Sequence, residues 1–210
     1  MFVQVVQGLV ADAEAMRALV RRWADELSPG ATGWLGTTAG VTEDAMFVGM
    51  ARFESEDAAR RNSNRLEQGL WWTEASKVFT ADVVFHDCQR CMTWMGGGGD
   101  HAGFVQVIQG RVRDATRLRR LYERAEPHVR AYRPEIIGAA MALHGDGSFT
   151  EAVYFTSEGA GREGERKSPP PELEPLLAEE SALLQNLRYF DLREPWLLSP
   201  RCPRTATPRQ

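Results

Sequence analysis

The sequence predicts an α+β protein built from two copies of one small domain. Three observations support this prediction: a seven-residue segment occurs twice, a glycine-rich stretch separates the copies, and both copies alternate strand-like and helix-like patterns in the same order. The chain has 210 residues, which is enough for one large domain or two small ones.

The repeat can be read directly along the chain. The segment from Phe2 to Gly8 returns as Phe104 to Gly110, 102 residues later. The helix-start motif Phe-x-Ser-Glu-x-Ala-x-Arg also recurs, from Phe53 and from Phe155. At the same offset the matched pairs are Asp12 and Asp114, Arg17 and Arg119, Leu19 and Leu121, Gly36 and Gly138, and Trp94 and Trp196. Because one register runs through both halves without a net gap, we interpret the repeat as a duplicated domain.

The repeat also predicts the domain boundaries. We expect a first half at residues 1–94 and a second half at residues 104–196. Residues 95–103 include four consecutive glycines and are typical of a flexible linker. Residues 197–210 show no periodicity and are expected to form a tail that is loose or packed along the surface.

Each half has the element order β-α-β-β-α-β. In the first half we predict strands at 2–8, 33–39, 45–53 and near 79–88, a helix after the N-cap Asp12 that ends at Pro29-Gly30, and a second helix after Ser55. In the second half we predict strands at 104–110, 135–143, 148–156 and near 186–192, a helix at 114–127, and another from Ser157.

This order is the ferredoxin-like split βαβ unit. One such sheet has two helices on one face and leaves its other face bare. Two fused copies can bury their bare faces against each other. The sequence therefore predicts two ferredoxin-like halves packed sheet to sheet as an intramolecular pseudo-dimeric α/β barrel. A monomer is the simplest expectation, because the chain already carries its own partner.

Each half resembles the domains of the dimeric α/β-barrel superfamily, in particular the antibiotic-biosynthesis-monooxygenase-like domains. The resemblance rests on the element order, the motif Phe-Val-Gln-Val-x-Gln-Gly and the Phe-x-Ser-Glu-x-Ala helix start. That superfamily includes cofactor-independent oxygenases of polyketide anthrones, heme-degrading enzymes, muconolactone-isomerase-like proteins and stress proteins without a clear activity. The resemblance implies a pocket in each half, between the sheet and its helices, for a small aromatic or apolar ligand.

The first half is rich in residues that suit such a pocket. Trp71 and Trp72 could stack on an aromatic substrate, and Asn62 and Asn64 could hydrogen-bond a carbonyl or enolate oxygen. The alternative is that one Trp packs in the core and the other covers a helix end. The matching segment of the second half lacks the aromatic pair and contains Pro169–Pro171, so we expect one site, in the first half, and a mainly structural second half. The alternative is that the two halves carry two different sites.

Four glutamines interrupt otherwise apolar strands, namely Gln4, Gln7, Gln106 and Gln109. Residues 4 and 7 point to opposite faces of a regular strand, so one could face the pocket and the other the barrel interior. A buried Gln must satisfy its amide, either as a substrate contact or as a structural bridge between the halves, and repetition favours the bridge.

Two further groups are candidates for chemistry. His86 could reach the first-half pocket as a general base, because an imidazole titrates near neutral pH. Arg52 could balance an anionic substrate, although such an Arg more often pairs with a local carboxylate. Cys88 and Cys91 with His86 make only half of a zinc site, so we expect strand-end thiols and no metal.

Composition narrows the function classes. The net charge of −4 argues against a nucleic-acid partner, and no apolar stretch approaches the ~18 residues of a membrane span. The start lacks the pattern of a signal peptide, and three Cys favour the cytoplasm over a disulfide framework.

Three functions follow as hypotheses. The first is a monooxygenase-like enzyme acting on a small aromatic or polyketide-type molecule without metal or flavin. The second is a non-catalytic small-molecule-binding or stress protein. The third is a heme-binding or heme-degrading protein, which the resemblance disfavours because neither second helix carries the expected His.

Overall fold

The computed structural model describes residues 1–200, and each half contains five strands and three α-helices in chain order. The strands are β1 (Phe2–Leu9), β2 (Trp34–Val41), β3 (Met46–Phe53), β4 (Val84–Cys88), β5 (Arg90–Trp94), β6 (Phe104–Val112), β7 (Ile136–Leu143), β8 (Ser148–Phe155), β9 (Leu184–Leu192) and β10 (Trp196–Leu198). The helices are α1 (Ala13–Arg22), α2 (Glu56–Ser63), α3 (Leu66–Ala75), α4 (Ala115–Tyr132), α5 (Glu158–Glu165) and α6 (Glu174–Leu183).

The strands form two five-stranded sheets. Their orders are β10-β2-β3-β1-β4 and β5-β7-β8-β6-β9, and neighbouring strands run antiparallel. Each sheet contains the ferredoxin-like order of four strands, with one additional strand at an edge. The predicted α+β class, with two ferredoxin-like halves, is confirmed.

The additional edge strands come from the opposite half of the sequence. β5 follows β4 along the chain but pairs with β7, placing Trp94 opposite Ala139. β10 lies at the end of the described chain but pairs with β2, placing Leu198 opposite Thr37. Each half therefore contributes a strand to the other half's sheet.

This pairing corrects one predicted equivalence. Thr37 and Ala139 are matched repeat positions, 102 residues apart, and their partners are Leu198 and Trp94. Leu198, and not Trp196, is therefore the structural counterpart of Trp94. The segment before the last ferredoxin strand is two residues longer in the second half than in the first. The repeat therefore contains a gap at this point.

Several repeated polar residues are helix caps. Asp12 accepts a hydrogen bond from the backbone N–H of Ala15, and Asp114 accepts from two backbone N–H groups at the start of α4. Ser55 and Ser157 cap α2 and α5 in the same way. These side chains satisfy N–H groups that a helix leaves unpaired at its start, so the repeat preserves helix starts.

The repeated glycines mark two β-bulges. The register shifts between Trp34 and Gly36 in β2 and between Ile136 and Gly138 in β7. A Cβ on Gly36 would lie 2.8 Å from the Leu198 carbonyl oxygen. A Cβ on Gly138 would lie 2.7 Å from a backbone nitrogen of the linker. Glycine is needed at both bulges because the exchanged segment passes directly over them.

The barrel interior lies between the facing surfaces of the two sheets. Its buried apolar residues come from both halves, including Val5, Met50, Val107 and Phe190. Two polar bridges cross the interior. The Gln109 amide donates to Gln7 Oε1 at 2.7 Å, and the Thr38 and Tyr154 hydroxyls lie 2.5 Å apart. The predicted glutamine bridge between halves is confirmed for Gln7 and Gln109, and the sheets pack as predicted.

Some elements differ from their predicted limits. α4 continues through Pro127, because a proline on the exposed face removes one backbone hydrogen bond without ending an otherwise well-packed helix. The second helix of the first half is interrupted at Asn64 and Arg65 and divides into α2 and α3. The predicted tail begins within β10, and residues 201–210 lie outside the described residues.

Candidate functional site

Each sheet carries a cavity on its helix-covered face. The second-half cavity has a volume of about 740 Å³, and the first-half cavity has a volume of about 300 Å³. The expectation that the second half is mainly structural stays a prediction, but the larger of these two cavities lies in that half. One physical reason is that the large Trp23, directly after α1, faces one cavity, whereas the small Ala125, at the matched position in α4, faces the other.

Glu151 is the central polar residue of the second-half cavity. Alternation along β8 points Glu151 toward the helices, and the residue is only 3% exposed. Its Oε1 accepts a hydrogen bond of 3.0 Å from the indole N–H of Trp94. Burial raises the pKa of Glu151 to about 7, a hydrogen bond from Trp94 opposes this shift, and the charge of Glu180 adds to it. A carboxyl group with this pKa exchanges protons near neutral pH.

Two helical side chains face the same region. Burial raises the pKa of Glu180, while a hydrogen bond from Tyr122 lowers it. Burial and then the charges of Glu151 and Glu180 raise the pKa of Tyr122 well above its usual value, so its phenol keeps its proton. The Tyr122 ring lies 5.4 Å from the Trp94 ring, centroid to centroid. The cavity thus combines a group that can accept a proton with groups that can donate hydrogen bonds.

The rest of this cavity is mainly apolar, with paired charges along one side. Apolar side chains of β6, α4, β8 and α6 form its walls: Ile108, Leu121, Val153, Phe155, Leu173 and Leu176. Arg162 forms an ion pair with Asp191, and Gln106 donates to Asp191 at 3.0 Å. Because Arg162 and Asp191 satisfy each other's charge, the apolar side chains dominate this part of the wall and suit a largely apolar ligand.

The first-half cavity is smaller and more aromatic. Gln4, Asn62, Trp71 and Trp72 line it, as the sequence suggested. Of the described residues, those lining this cavity include no Asp, Glu, His, Tyr, Lys, Arg or Cys. Gly49 stands at the position that matches Glu151. The first-half cavity therefore contains polar and stacking groups but no side chain suited to proton transfer.

The tryptophans of this cavity are anchored. The Trp71 indole donates to the Leu19 carbonyl at 2.9 Å, and Trp72 packs edge-on against Phe85 at 5.1 Å. Asn62 donates to Gln68 Oε1 at 3.3 Å, and the Gln4 amide donates to Asp87 at 2.9 Å. These contacts hold the aromatic faces at fixed angles around the space.

The other candidates from the sequence lie outside this cavity. Asn64 is exposed at the end of α2, and Gln7 faces the barrel interior. Arg52 lines a separate cavity of about 250 Å³ near the linker. The structure brings together four of the eight predicted site residues and places the remaining candidates, including His86, elsewhere.

The prediction that His86 reaches the first-half cavity is wrong, because His86 lies on the other face of its strand. Alternation along β4 turns Phe85 toward the first-half cavity and His86 toward the opposite face. There His86 stacks on His144, with ring centroids 3.9 Å apart and an interplanar angle of 13°. Burial and the neighbouring His86 lower the pKa of His144 to about 4. His86 therefore belongs to the contact between the halves.

Sequence reasoning missed Glu151, Glu180 and Tyr122. One signal was present, because Glu151 is the only charged residue between Phe149 and Phe155, a segment that otherwise reads as a buried strand. Trp94 was noted as a repeat marker, but its place in the second sheet required knowledge of the strand exchange.

Comparison with known proteins agrees with this architecture. No family model matches the chain, and no curated protein matches it. A solved structure from Fusobacterium nucleatum, named as a proposed monooxygenase, superposes with a TM-score of 0.71 at 7% identity, covering 94% of both chains. A second, from Lactobacillus acidophilus and named in the same way, gives a TM-score of 0.69 at 12% identity, covering 94% of this chain and 99% of that one.

The chain shares a fused, two-domain ferredoxin-like fold with these solved structures. A third solved structure, described as an anthrone oxidase-like protein, superposes with a TM-score of 0.59 at 8% identity and covers 98% of this chain and 96% of that one. Identities this low establish the fold alone. Because these neighbours are matched over nearly their whole length, the fused two-domain arrangement is shared with them.

Two further observations concern residues 1–200 of this fused fold. No helix within that range is both long enough and apolar enough to cross a bilayer. The same range contains no group of three or more His, Cys, Asp or Glu side chains arranged to hold a metal ion. Cys88 and Cys91 are both free thiols, and burial raises the pKa of each.

Proposed function

We propose that the second-half cavity is the active site of a monooxygenase-like enzyme that oxidises a small aromatic or polyketide-type molecule. The observation that carries this proposal is Glu151, a carboxyl group buried in the wall of the larger cavity. Its raised pKa makes it a suitable general base near neutral pH. The apolar walls suit a flat substrate with few charges.

The proposed reaction begins with proton transfer. Glu151 removes a proton from an activated CH₂ group that is flanked by aromatic rings or a carbonyl. The Trp94 N–H hydrogen bond holds the carboxyl group in place during this transfer. The negative charge spreads into the aromatic system and onto the substrate oxygen. The phenol of Tyr122, which keeps its proton, supplies a hydrogen bond to that oxygen.

Molecular oxygen completes the reaction. The carbanion transfers electrons to O₂ and forms a C–O bond, giving a hydroperoxide after protonation by Glu151. Loss of water then breaks the O–O bond and leaves a carbonyl. The net change converts CH₂ and O₂ into C=O and H₂O, so one oxygen atom enters the product and the other leaves as water. No additional reductant is required for this balance.

The substrate class is supported by two independent features. A cavity of about 740 Å³ has room for a molecule of several fused rings. One of the structural neighbours is described as an anthrone oxidase-like protein, and an anthrone carries the activated CH₂ group that this mechanism needs.

The test is oxygen consumption with an anthrone as substrate. We expect the wild-type protein to consume one O₂ for each quinone formed, and Glu151→Gln to lose about a hundredfold or more of the rate. Glu123→Gln, an exposed residue on α4, serves as the matched control and should retain the wild-type rate.

The outcome also separates the alternatives. Tight ligand binding without oxygen consumption would instead identify a non-catalytic binding protein. A Soret band on titration with heme would support the third hypothesis. A Glu151→Gln variant with wild-type activity would exclude Glu151 as the base.

We also propose that the first-half cavity binds a small uncharged aromatic molecule without converting it. Stacking on Trp71 and Trp72 and hydrogen bonds from Asn62 and Gln4 support this role, and the cavity offers no base. Ligand titration monitored by tryptophan fluorescence tests it. Trp72→Ala should reduce the signal and the affinity, whereas Glu151→Gln should change neither.

A further inference from the structure

A third cavity lies where the linker meets both halves. This Arg52 cavity has a volume of about 250 Å³ and is lined by Thr38, Arg52, Gly98, Gly99, Asp100, Tyr154, Leu197 and Ser199. It is separate from the two helix-side cavities, because Arg52 and Tyr154 point from their strands toward the space between the sheets. Its walls are mainly polar.

Among residues 1–200, Arg52 forms no ion pair. Its Nε is buried without a hydrogen-bond acceptor, and within residues 1–200 no carboxylate lies within 4.0 Å of its guanidinium. A buried N–H without an acceptor is costly, and native structures seldom leave one unsatisfied. By contrast, Arg133 and Arg162, which line the second-half cavity, both pair with carboxylates.

Hydroxyl groups converge on the same space. Tyr154 occupies the repeat position that matches Arg52, and its hydroxyl lies 2.5 Å from that of Thr38. The Ser199 hydroxyl donates to Asp100 at 2.9 Å on another wall. The duplicated position thus carries a cation in one half and a hydroxyl donor in the other. This combination suits an oxygen anion placed between the halves.

The glycine at the β2 bulge makes room for the Arg52 side chain in the Arg52 cavity. The guanidinium of Arg52 lies over Gly36, where an added Cβ would stand 2.8 Å from its Nη2. Any larger residue at this bulge would displace the arginine. The carboxylate of Asp100 adds one negative charge to the wall, which disfavours a ligand with two or more negative charges.

We propose that the Arg52 cavity binds a small, singly charged oxyanion such as a carboxylate. The anion accepts hydrogen bonds from the Arg52 guanidinium and from the Tyr154 hydroxyl. Because these residues belong to different halves of the chain, occupancy ties the two sheets together and stabilises the folded protein. This inference does not depend on the proposed function.

The test uses acetate as the probe and thermal unfolding as the readout, against chloride at matched ionic strength. We expect the unfolding midpoint of the wild-type protein to rise with acetate concentration. Arg52→Gln should weaken the apparent affinity for acetate by about tenfold or more. Arg120→Gln, which removes an exposed arginine from α4, should respond as the wild type does.

Two further variants test the roles of the Asp100 charge and the Tyr154 hydroxyl in acetate binding. Asp100→Asn should tighten acetate binding and should improve phosphate binding even more, because a repulsive charge has been removed. Tyr154→Phe keeps the buried ring and should weaken acetate binding, which provides a test even if Arg52→Gln does not fold. The proposal is overturned if acetate and chloride act alike on the wild type, or if Arg52→Gln and Tyr154→Phe both respond to acetate as the wild type does.

Discussion

The carboxyl group of Glu151 accepts its hydrogen bond from Trp94, a residue that the chain places before the linker and the fold places in the second sheet. The indole N–H stabilises the ionised carboxylate and therefore holds the pKa of Glu151 below the value that burial alone would impose. The strand exchange that joins the halves thus also adjusts the candidate base.

Replacing Trp94 by Phe should raise the pKa of Glu151, because the variant lacks the hydrogen-bond donor. With the wild-type protein, we expect kcat/KM for oxygen consumption to rise with pH and to reach half its plateau near pH 7. The Trp94→Phe profile should move to higher pH. Trp196→Phe, which changes a tryptophan that does not line this cavity, should leave the profile in place.

Glu151→Gln should make the protein more stable at alkaline pH. The folded-state pKa of Glu151 is raised, so the folded state binds more protons than the unfolded state between about pH 4.5 and 7, and stability falls as pH rises through this window. Removing the ionisable group removes this loss, which amounts to about 3 kcal/mol in the free energy of unfolding above pH 7.

Urea denaturation at pH 5 and pH 8 measures this effect. We expect Glu151→Gln and the wild type to be close at pH 5 and clearly separated at pH 8. Glu123→Gln should follow the wild type at both values. An equal difference between Glu151→Gln and wild type at the two pH values would contradict the assignment of a raised pKa.

The stacked pair of His86 and His144 should make the protein sensitive to acid. The pKa of His144 is lowered to about 4 by burial and by His86, while Asp146 acts in the opposite direction. Below about pH 6.5 the unfolded chain therefore binds more protons at this residue, and stability is lost as pH falls toward 4.

The variant His144→Gln tests this second pH effect. Its stability should decline less steeply than that of the wild type between pH 6.5 and 4, as measured by urea unfolding. His128→Gln, on the exposed side of α4, is the control and should keep the wild-type slope. Parallel slopes for all three proteins would contradict the lowered pKa of His144.

Gly138→Ala should destabilise the protein, because its Cβ would stand 2.7 Å from the Gly98 nitrogen and 2.8 Å from the Met95 carbonyl oxygen. Both atoms belong to backbone that cannot rotate away, so we expect a loss of about 2 kcal/mol in the free energy of unfolding. Gly145→Ala is the matched control, since a Cβ at Gly145 would have no heavy atom within 4 Å. Equal stability of the two variants would mean that the linker moves without cost.

Much of the fold could be predicted from the sequence because its signals are local. Asp12 and Asp114 indicate helix starts through the hydrogen bonds that their own side chains accept, and the alternation around Gln7 and Gln109 predicts a polar contact in the barrel interior. The resemblance implies a pocket in the first half, and Trp71 and Trp72, which share α3, line the cavity found there.

The chemistry of the second half could not be predicted in this way. In the sequence, Glu151 is a single charged residue within an apolar strand. Its spatial neighbours Trp94, Tyr122 and Glu180 lie far from it along the chain. Its raised pKa arises because a strand from the other half and two helices together exclude water from it.

The sequence by itself determined the duplication, the element order and the class of fold, because periodicity, caps and turn residues act over a few neighbouring positions. Only the tertiary structure decided which half holds the larger cavity, which tryptophan completes it and which face His86 occupies. The place of Trp94 depends on the strand exchange, the size of each cavity on Trp23 and Ala125, and the face of His86 on alternation along β4. Side-chain burial and charge in the finished fold then determine which carboxyl group can exchange a proton.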